Sequence, residues 1–397
     1  MSPSRAAKAA PLDWLTILQF GLGALGILFA GLLAFAQLLA AFGSFPENGQ
    51  LELANLTAGA GMLLVALLLV PSTALALRRI LGRPVPIFQW RGRFFGLAIF
   101  AFPALLPAGA WALDQGLGWL VLLIHLSASA LLVAWLLWIA LRNLKPGSAQ
   151  RAWGAFSSGL AATPLLALIL ELTAGLFVGL LVLVYVGLNP ELSRLVEQLS
   201  SSPDTESVLQ LAAPLMNDPM IILAVLAILG VIVPVIEEVL KPLGVYLLLG
   251  RKLSEAQGFA LGALSGAGYA LFENLALNTA PETLFLGAVG RFGASAMHIF
   301  TAALSGWALA RAAKQKQPWL FLRILALNIF IHGLWNSLVV LFTAGAFSEF
   351  SSSGLVPPVF AILAPIALLL IALACIVLLG RFNRRLLRAR AAKANSL

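Results

Sequence analysis

The 397-residue chain has few charged residues, one cysteine and three histidines. Charged residues make up 10% of the sequence against 61% hydrophobic residues, and the mean hydropathy is +0.98. A soluble domain cannot bury so much apolar surface, so the composition excludes the soluble globular class. The single cysteine, Cys375, excludes an intrachain disulfide. We therefore predict an all-α, multi-pass membrane protein that is held together by helix packing.

Ten apolar stretches are long enough to cross ~30 Å of hydrocarbon, which takes about 20 helical residues. The predicted spans are 15–42, 53–77, 94–113, 117–141, 155–188, 220–249, 256–277, 284–311, 319–345 and 356–380. The third is interrupted by Pro103 and Pro107. Basic residues precede the first apolar run, but this run is longer than a signal-peptide core, so it is expected to stay as the first span.

The distribution of basic residues orients these spans. With the N-terminus in the cytoplasm, 21 of the 25 Lys and Arg residues fall in inner loops or in the two termini, and Arg194 falls in an outer loop. This is the positive-inside pattern, and it places both termini in the cytoplasm. The net charge of +9 thus reflects topology and contact with anionic lipid, so nucleic-acid binding is not needed to explain it.

Polar residues divide the chain into regions. The middles of spans one to four contain no Asp, Glu, Lys or Arg, whereas spans five to nine contain several. We expect an accessory four-helix membrane region at 1–150, a membrane core that carries the chemistry at 151–350, and a final span with a basic cytoplasmic tail at 351–397. The outer loop 189–219 has apolar residues at helical spacing and is predicted to form interfacial helices. The basic tail is predicted to lie on the inner leaflet.

Four short motifs carry the intramembrane polar groups. They are Glu237-Glu238-x-x-Lys241 in span six, Tyr269-x-x-x-Glu273-Asn274 in span seven, Arg291 with His298 in span eight, and His332-x-x-x-Asn336 in span nine. Each charge costs roughly 2.5 to 3.5 kcal/mol at the centre of an inserted helix, so a functional role is expected. Residues four apart share a helix face, which would align Glu237 with Lys241 and His332 with Asn336.

The motif residues are also predicted to lie at similar depths in the membrane. Counted from the cytoplasmic end of each span, Glu237, His298 and His332 lie at roughly 18 to 20 Å and Glu273 at about 25 Å. Small residues, among them Gly258, Gly262, Gly266 and Gly268, would let span seven pack closely against its neighbours. Together these features predict one polar site inside a helix bundle.

The order of the motifs resembles the PrsW family of intramembrane proteases and, more distantly, the CAAX-protease and bacteriocin-immunity superfamily. The resemblance covers about residues 220–345, a third of the chain. CAAX-type enzymes carry a histidine in the second motif, where this chain has Glu273, as PrsW members do. The resemblance implies a protease of the plasma (inner) membrane that cleaves a membrane-anchored protein. For the PrsW family it implies site-1 cleavage of an anti-sigma factor.

Two mechanisms use the same residues. In the metal-free version, Glu237 with His298 activates water and Glu238 pairs with Lys241 or Arg291, while the resemblance to CAAX-type proteases implies that His332 and Asn336 donate to the oxyanion. In the metal version, Glu273, His298 and His332 bind zinc and Glu237 is the base. An HExxH motif is absent, which leaves the metal open. Adjacent helical residues diverge by about 100°, so Glu237 and Glu238 cannot both face one point squarely. Which of the two is the base stays open. Lys241, Arg291 and Asn274 are supporting residues.

Two other functions compete with the protease. The first is a CAAX-type prenyl-protein peptidase or immunity protein, which would have its site nearer the cytosolic face. The second is a proton-coupled transporter or channel, for which intramembrane Glu, His and Lys are equally natural. A transporter is expected to show paired, broken spans related by pseudo-symmetry, and no such pair is visible in the sequence.

Overall fold

The computed structural model describes residues 13–43, 52–89, 92–200, 214–215, 218–276, 284–347 and 356–395, and these are helical almost throughout. Within these ranges the β-structure is an isolated bridge between Ile87 and Ser148. The helices are α1 Trp14–Gly43, α2 Leu53–Ile80, α3 Ala98–Asp114, α4 Gly118–Leu141, α5 Ala149–Ser157, α6 Thr163–Leu188, α7 Pro190–Ser200, α8 Pro219–Ala227, α9 Val233–Leu240, α10 Leu243–Tyr246, α11 Glu255–Ala276, α12 Leu284–Gln315, α13 Pro318–Phe347 and α14 Phe360–Asn395. Wide, π-helical turns at Ser158–Ala162 and Ile228–Ile232 join α5 to α6 and α8 to α9.

Seven helical segments in the described ranges are long and apolar enough to cross a membrane. They are α1, α2, α4, α5 with α6, α8 through the residues just after α10, α13 and α14, and they confirm the multi-pass, all-helical class. The predicted spans 94–113, 256–277 and 284–311 correspond to α3, α11 and α12, which are not among the seven. Most residues of α11 are buried in protein, so this helix does not need a strongly apolar surface. The count of ten spans and the cytoplasmic termini stay predictions.

Local sequence signals explain several helix ends. Asp218 caps α8, because its Oδ1 accepts hydrogen bonds from the backbone N–H groups of Met220 (2.9 Å) and Ile221 (3.0 Å), and Pro219 occupies the first helical position. Helix α9 ends at Leu240, since Lys241 precedes Pro242 and a residue before proline disfavours the helical conformation. Lys241 thus lies just beyond the helix on which the i, i+4 argument placed it.

Two segments predicted to lie on the membrane surface are helical where the structure describes them. Helix α7 is the described portion of the outer loop 189–219 that was predicted to be helical; residues 201–213 and 216–217 lie outside the described ranges. The basic tail continues α14 as one helix to Asn395. Contact of either segment with a membrane surface stays a prediction.

The chain divides into two compact units that are not contiguous in sequence. The first unit comprises 1–164, 241–321 and 376–397, and the second unit comprises 165–240 and 322–375. The divisions fall after residues 164, 240, 321 and 375, so several helices contribute residues to both. The functional division at residues 150 and 350 stays a prediction.

In the first unit, α11 packs with its backbone directly against α12. A Cβ atom added to Gly262 would clash with the carbonyl of Ala302, and one added to Gly258 would clash with that of Gly306. A Cβ on Gly268 would likewise clash with the carbonyl of Phe156 at the end of α5. Glycine is the residue that allows such close approach of helices, so the predicted close packing of span seven is confirmed.

Polar contacts add to the packing of the first unit. The Gln19 side chain donates to Ser72 Oγ (2.8 Å), and Gln150 donates to Thr16 Oγ1 (3.0 Å). These bonds tie α1, α2 and α5 together through neutral groups. Hydrogen bonds of this kind satisfy buried polar atoms that would otherwise carry a large desolvation cost.

In the second unit, the wide turn before α9 packs against α13. A Cβ on Gly333 would clash with the carbonyl of Gly230, and one on Gly230 would lie 2.6 Å from Ser337 Oγ. Further along α13, Ala344 packs with Ile222 of α8 in a small apolar cluster. The wide turn therefore touches α13 right next to His332.

Gly262→Ala should lower the thermal unfolding midpoint measured in detergent. The added methyl group must displace the Ala302 carbonyl, and overpacking of this kind costs ~1–3 kcal/mol. The matched control is Gly179→Ala in α6, where an added Cβ meets no atom of another described segment within 4 Å. This variant should be neutral or more stable by up to ~1 kcal/mol, because alanine is the better helix former. Equal midpoints for the two variants would contradict the close packing.

Candidate active site

Three ionisable residues of the second unit form a buried cluster. Glu237 and Glu238 lie on α9 and His332 lies on α13, with exposed fractions of 4%, 0% and 2%. His332 Nδ1 is 3.1 Å from Glu238 Oε1, and His332 Nε2 is 3.8 Å from Glu237 Oε2. The two adjacent glutamates therefore meet opposite edges of one imidazole ring. The 100° divergence that separates them on the helix allows this arrangement.

The two glutamates have different relations to the ring. A distance of 3.1 Å is a hydrogen bond, and when Glu238 is ionised its carboxylate can only accept, which makes Nδ1 of His332 the donor. Nε2 of a neutral ring then keeps its lone pair on the side of Glu237. The 3.8 Å to Glu237 exceeds hydrogen-bond length. Glu238 thus orients the histidine, and Glu237 lies beside its basic nitrogen.

The amide group of Asn336 bonds to the wide turn before α9. Its Nδ2 donates a hydrogen bond to the carbonyl of Leu229 (2.8 Å), inside the wide turn Ile228–Ile232. This bond ties α13 to the turn that precedes α9. One of the two amide N–H groups is thereby used, so a role in stabilising an oxyanion would depend on the second.

A second cluster lies in the first unit, with Lys241 and His298 buried and Glu273 and Arg291 partly exposed. Lys241 Nζ is 2.6 Å from His298 Nδ1, His298 Nε2 is 2.8 Å from Glu273 Oε2, and Arg291 Nη1 is 3.1 Å from the same carboxylate oxygen. The ammonium group donates to Nδ1, and the Nε2–H group donates to Glu273. Lys241, His298, Glu273 and Arg291 therefore form a chain of alternating donors and acceptors.

Each member of this chain has a structural cause for its position. Ser265 of α11 donates to the carbonyl of Lys241 (2.5 Å), which fixes the backbone just beyond α9. The Tyr269 ring lies 5.1 Å from Lys241 Nζ and 5.4 Å from the His298 ring centroid. An ammonium group over an aromatic face is stabilised by the ring quadrupole. The close packing of α11 on α12 brings Glu273 and His298 together.

The supporting residues predicted from the sequence have defined partners. Arg291 forms an ion pair with Glu273. Asn274 bridges α11 and α12, because its Nδ2 donates to Ser295 Oγ at 3.1 Å. Sequence reasoning did not single out Ser265 or Ser295. Ser265, Tyr269 and Glu273 follow one another at intervals of four residues and therefore share a face of α11. This spacing is the sequence signal that could have identified Ser265.

Only three residues of sequence lie between Glu237 and Lys241, so the two clusters are joined by a very short stretch of chain. Several predicted combinations nevertheless draw on both units. These are the zinc set Glu273, His298 and His332, the pairing of Glu237 with His298, and the pairing of Glu238 with Lys241 or Arg291. All three stay predictions.

The donor atoms of the second-unit cluster fit a metal ion. Imidazole nitrogen and carboxylate oxygen are ligands that zinc accepts, and His332 Nε2 and Glu237 Oε2 offer one of each in a buried position. A histidine that ligates a metal usually donates its other N–H group to a carboxylate, as His332 does to Glu238. A metal ion bound by His298 would have to replace Lys241 or Glu273 at a ring nitrogen.

Comparison with known proteins gives one family. The sequence model of the PrsW family intramembrane metalloproteases matches residues 151–369, more than half of the chain. The matched stretch begins with α5, ends within α14 and contains the residues of both clusters. Neither the curated proteins nor the solved structures include a match.

A double-mutant cycle of Asn274→Ala and Ser295→Ala should give a coupling energy of about 0.6 to 1.7 kcal/mol, the range of interhelical hydrogen bonds in membrane proteins. The free energy of unfolding in detergent is the quantity to measure. A control cycle pairs Ser295→Ala with Asn383→Ala, since the Asn383 amide instead binds the carbonyl of Ala140. The control should be additive. Additivity in the first cycle as well would contradict the bridge between α11 and α12.

Proposed function

Because the chain belongs to the PrsW family of intramembrane metalloproteases, we propose that it hydrolyses a peptide bond of a membrane-anchored protein in the plasma (inner) membrane. The observation that carries this proposal is the buried Glu237–Glu238–His332 cluster, which has the groups that water activation requires. Site-1 cleavage of an anti-sigma factor is the specific role that the family suggests.

Peptide hydrolysis requires a base, an electrophilic group for the carbonyl oxygen and a proton donor for the leaving amine. We assign the base to Glu237, because a water molecule held at His332 Nε2 would lie within reach of Glu237 Oε2. Glu237 takes a proton as the water oxygen bonds to the carbonyl carbon. It returns this proton to the amine nitrogen when the C–N bond breaks.

A metal ion at this site would be held by His332 through Nε2. When bound, it would lower the pKa of a coordinated water and polarise the carbonyl oxygen. Glu238 keeps Nδ1 of His332 protonated and so keeps Nε2 available. Glu238 is therefore a residue that positions His332, whereas Glu237 is the base.

The peptidase is tested by N-terminal proteomics of membranes from cells that carry wild type, Glu237→Gln or Glu171→Gln. New N-termini of membrane proteins should be present with wild type and reduced at least ~100-fold with Glu237→Gln, the usual loss when a general base is removed. Glu171→Gln is the matched control, since it neutralises a glutamate of α6 that the mechanism does not use. New N-termini that persist with Glu237→Gln would refute the assignment of the base.

Metal binding by purified protein separates the roles of the three residues in the second-unit cluster. His332→Ala should abolish zinc binding, whereas Glu238→Gln should weaken it about 10- to 100-fold through loss of the charged partner of Nδ1. Glu237→Gln should keep the metal and lose activity. Elemental analysis with titration by a zinc-sensitive dye gives the affinities. Loss of zinc binding in Glu237→Gln would show that Glu237 is a metal ligand. A wild-type enzyme that is active without zinc and in the presence of a chelator would refute the metal-dependent mechanism.

A further inference from the structure

The first unit contains an apolar cavity of about 900 Å³ that the candidate active site does not use. It is bounded by α2, by the extended residues 86–89 and by α4, α5 and α11, with Leu68, Val133, Leu137, Phe156 and Leu271 among its walls. Among the described residues that line it, every side chain except Gln89 is apolar or aromatic. The cavity is within the size range of sites for small organic ligands and suits a hydrocarbon group.

The cavity and the first-unit cluster lie on different faces of α11. Leu264 and Leu271 line the cavity and are seven residues apart, so they share one helix face. Tyr269 and Glu273 lie about 140–180° around the helix from Leu264. A ligand in the cavity would therefore contact the back of the helix that carries Glu273. This arrangement makes the cavity a site distinct from the catalytic groups.

The two loops that follow α2 and α4 carry basic residues and no Asp or Glu. Between residues 53 and 113, and again between 115 and 170, the sequence contains no Asp or Glu. Arg83, Arg142 and Lys145 are exposed. The loop with Arg142 and Lys145 is tied to the cavity wall, because Phe88 N–H donates to the Gly147 carbonyl (3.0 Å) and Ala149 N–H donates to that of Pro86 (2.8 Å).

We propose that this cavity binds an acyl chain of an anionic phospholipid, with the headgroup held by Arg142, Lys145 and Arg83. Apolar walls next to a loop with exposed basic residues match an amphiphile with a negative headgroup, and basic residues at the membrane surface favour anionic lipids. A transmembrane substrate helix is too large to fit inside the cavity of about 900 Å³. A 20-residue helix that is ~30 Å long and ~10 Å wide occupies on the order of 2,000 Å³. The proposal does not depend on the peptidase activity.

Photo-crosslinking tests the proposal on the full chain reconstituted in liposomes. Phosphatidylglycerol and phosphatidylcholine with the same diazirine-bearing acyl chain are compared, and labelled peptides are identified by mass spectrometry. Phosphatidylglycerol should label the peptides with residues 130–137 and 149–156 on the order of tenfold more than phosphatidylcholine, given the contribution of each basic residue near the surface. The peptide with Leu369 and Leu370, which are exposed on α14, should be labelled equally by both lipids.

Variants separate the apolar and the ionic parts of the site. Ala134→Phe, which fills the cavity, should remove labelling of residues 149–156, whereas the same substitution at the exposed Ala24 should leave it unchanged. The double variant Arg142→Gln/Lys145→Gln should keep labelling but lose the preference for phosphatidylglycerol, and it tests the site even if Ala134→Phe does not fold. Equal labelling of wild type by both lipids, or labelling unaffected by Ala134→Phe in folded protein, would overturn the proposal.

Discussion

The first unit depends on the close contact of α11 with α12. Gly258, Gly262 and Gly266 let the two backbones meet without intervening side chains, and this contact places Glu273 next to His298. In a low-dielectric environment a buried charge is tolerated when it is paired and hydrogen-bonded. The glycines therefore do more than fill space. They hold the helices close enough for the carboxylate, imidazole, ammonium and guanidinium groups to satisfy one another.

In the second unit, close contact between glycines likewise brings ionisable side chains together. The contact of Gly230 with Gly333 brings α9 and α13 together beside His332, and the ring then lies between the carboxyl groups of Glu237 and Glu238. Because Glu238 bonds to Nδ1, the other nitrogen of the ring faces the side of Glu237. Two adjacent glutamates thus have different relations to one ring.

Much of the fold could be predicted from apolar runs and glycine. Span 53–77 corresponds to α2 at Leu53–Ile80, and the glycine pattern of span seven predicted its close packing. The motif residues of the two clusters were also found, since charged residues are rare in apolar segments. Apolar runs could not predict how strongly α11 would be enclosed. A helix buried by other helices loses the apolar signal that lipid contact imposes.

The contacts between motifs could not be predicted, because they depend on tertiary structure. The i, i+4 rule aligned Lys241 with Glu237, but Pro242 ends the helix first, and the ammonium group bonds to His298. The partner of Arg291 likewise depends on which carboxylate the packing of α11 brings near. The apolar cavity combines residues from five parts of the chain, and no pattern in a single segment indicates it.

The wide turn at Ile228–Ile232 affects how this chain can be compared with relatives. A π-helical turn contains one residue more than an α-helical turn, so side chains after it are rotated by about 100° relative to an uninterrupted helix. Glu237 and Glu238 follow that turn. A relative that has an ordinary helix here would need a one-residue gap before its glutamates. An alignment without the gap would pair Glu237, which lies beside His332 Nε2, with the relative's counterpart of Glu238, which contacts Nδ1.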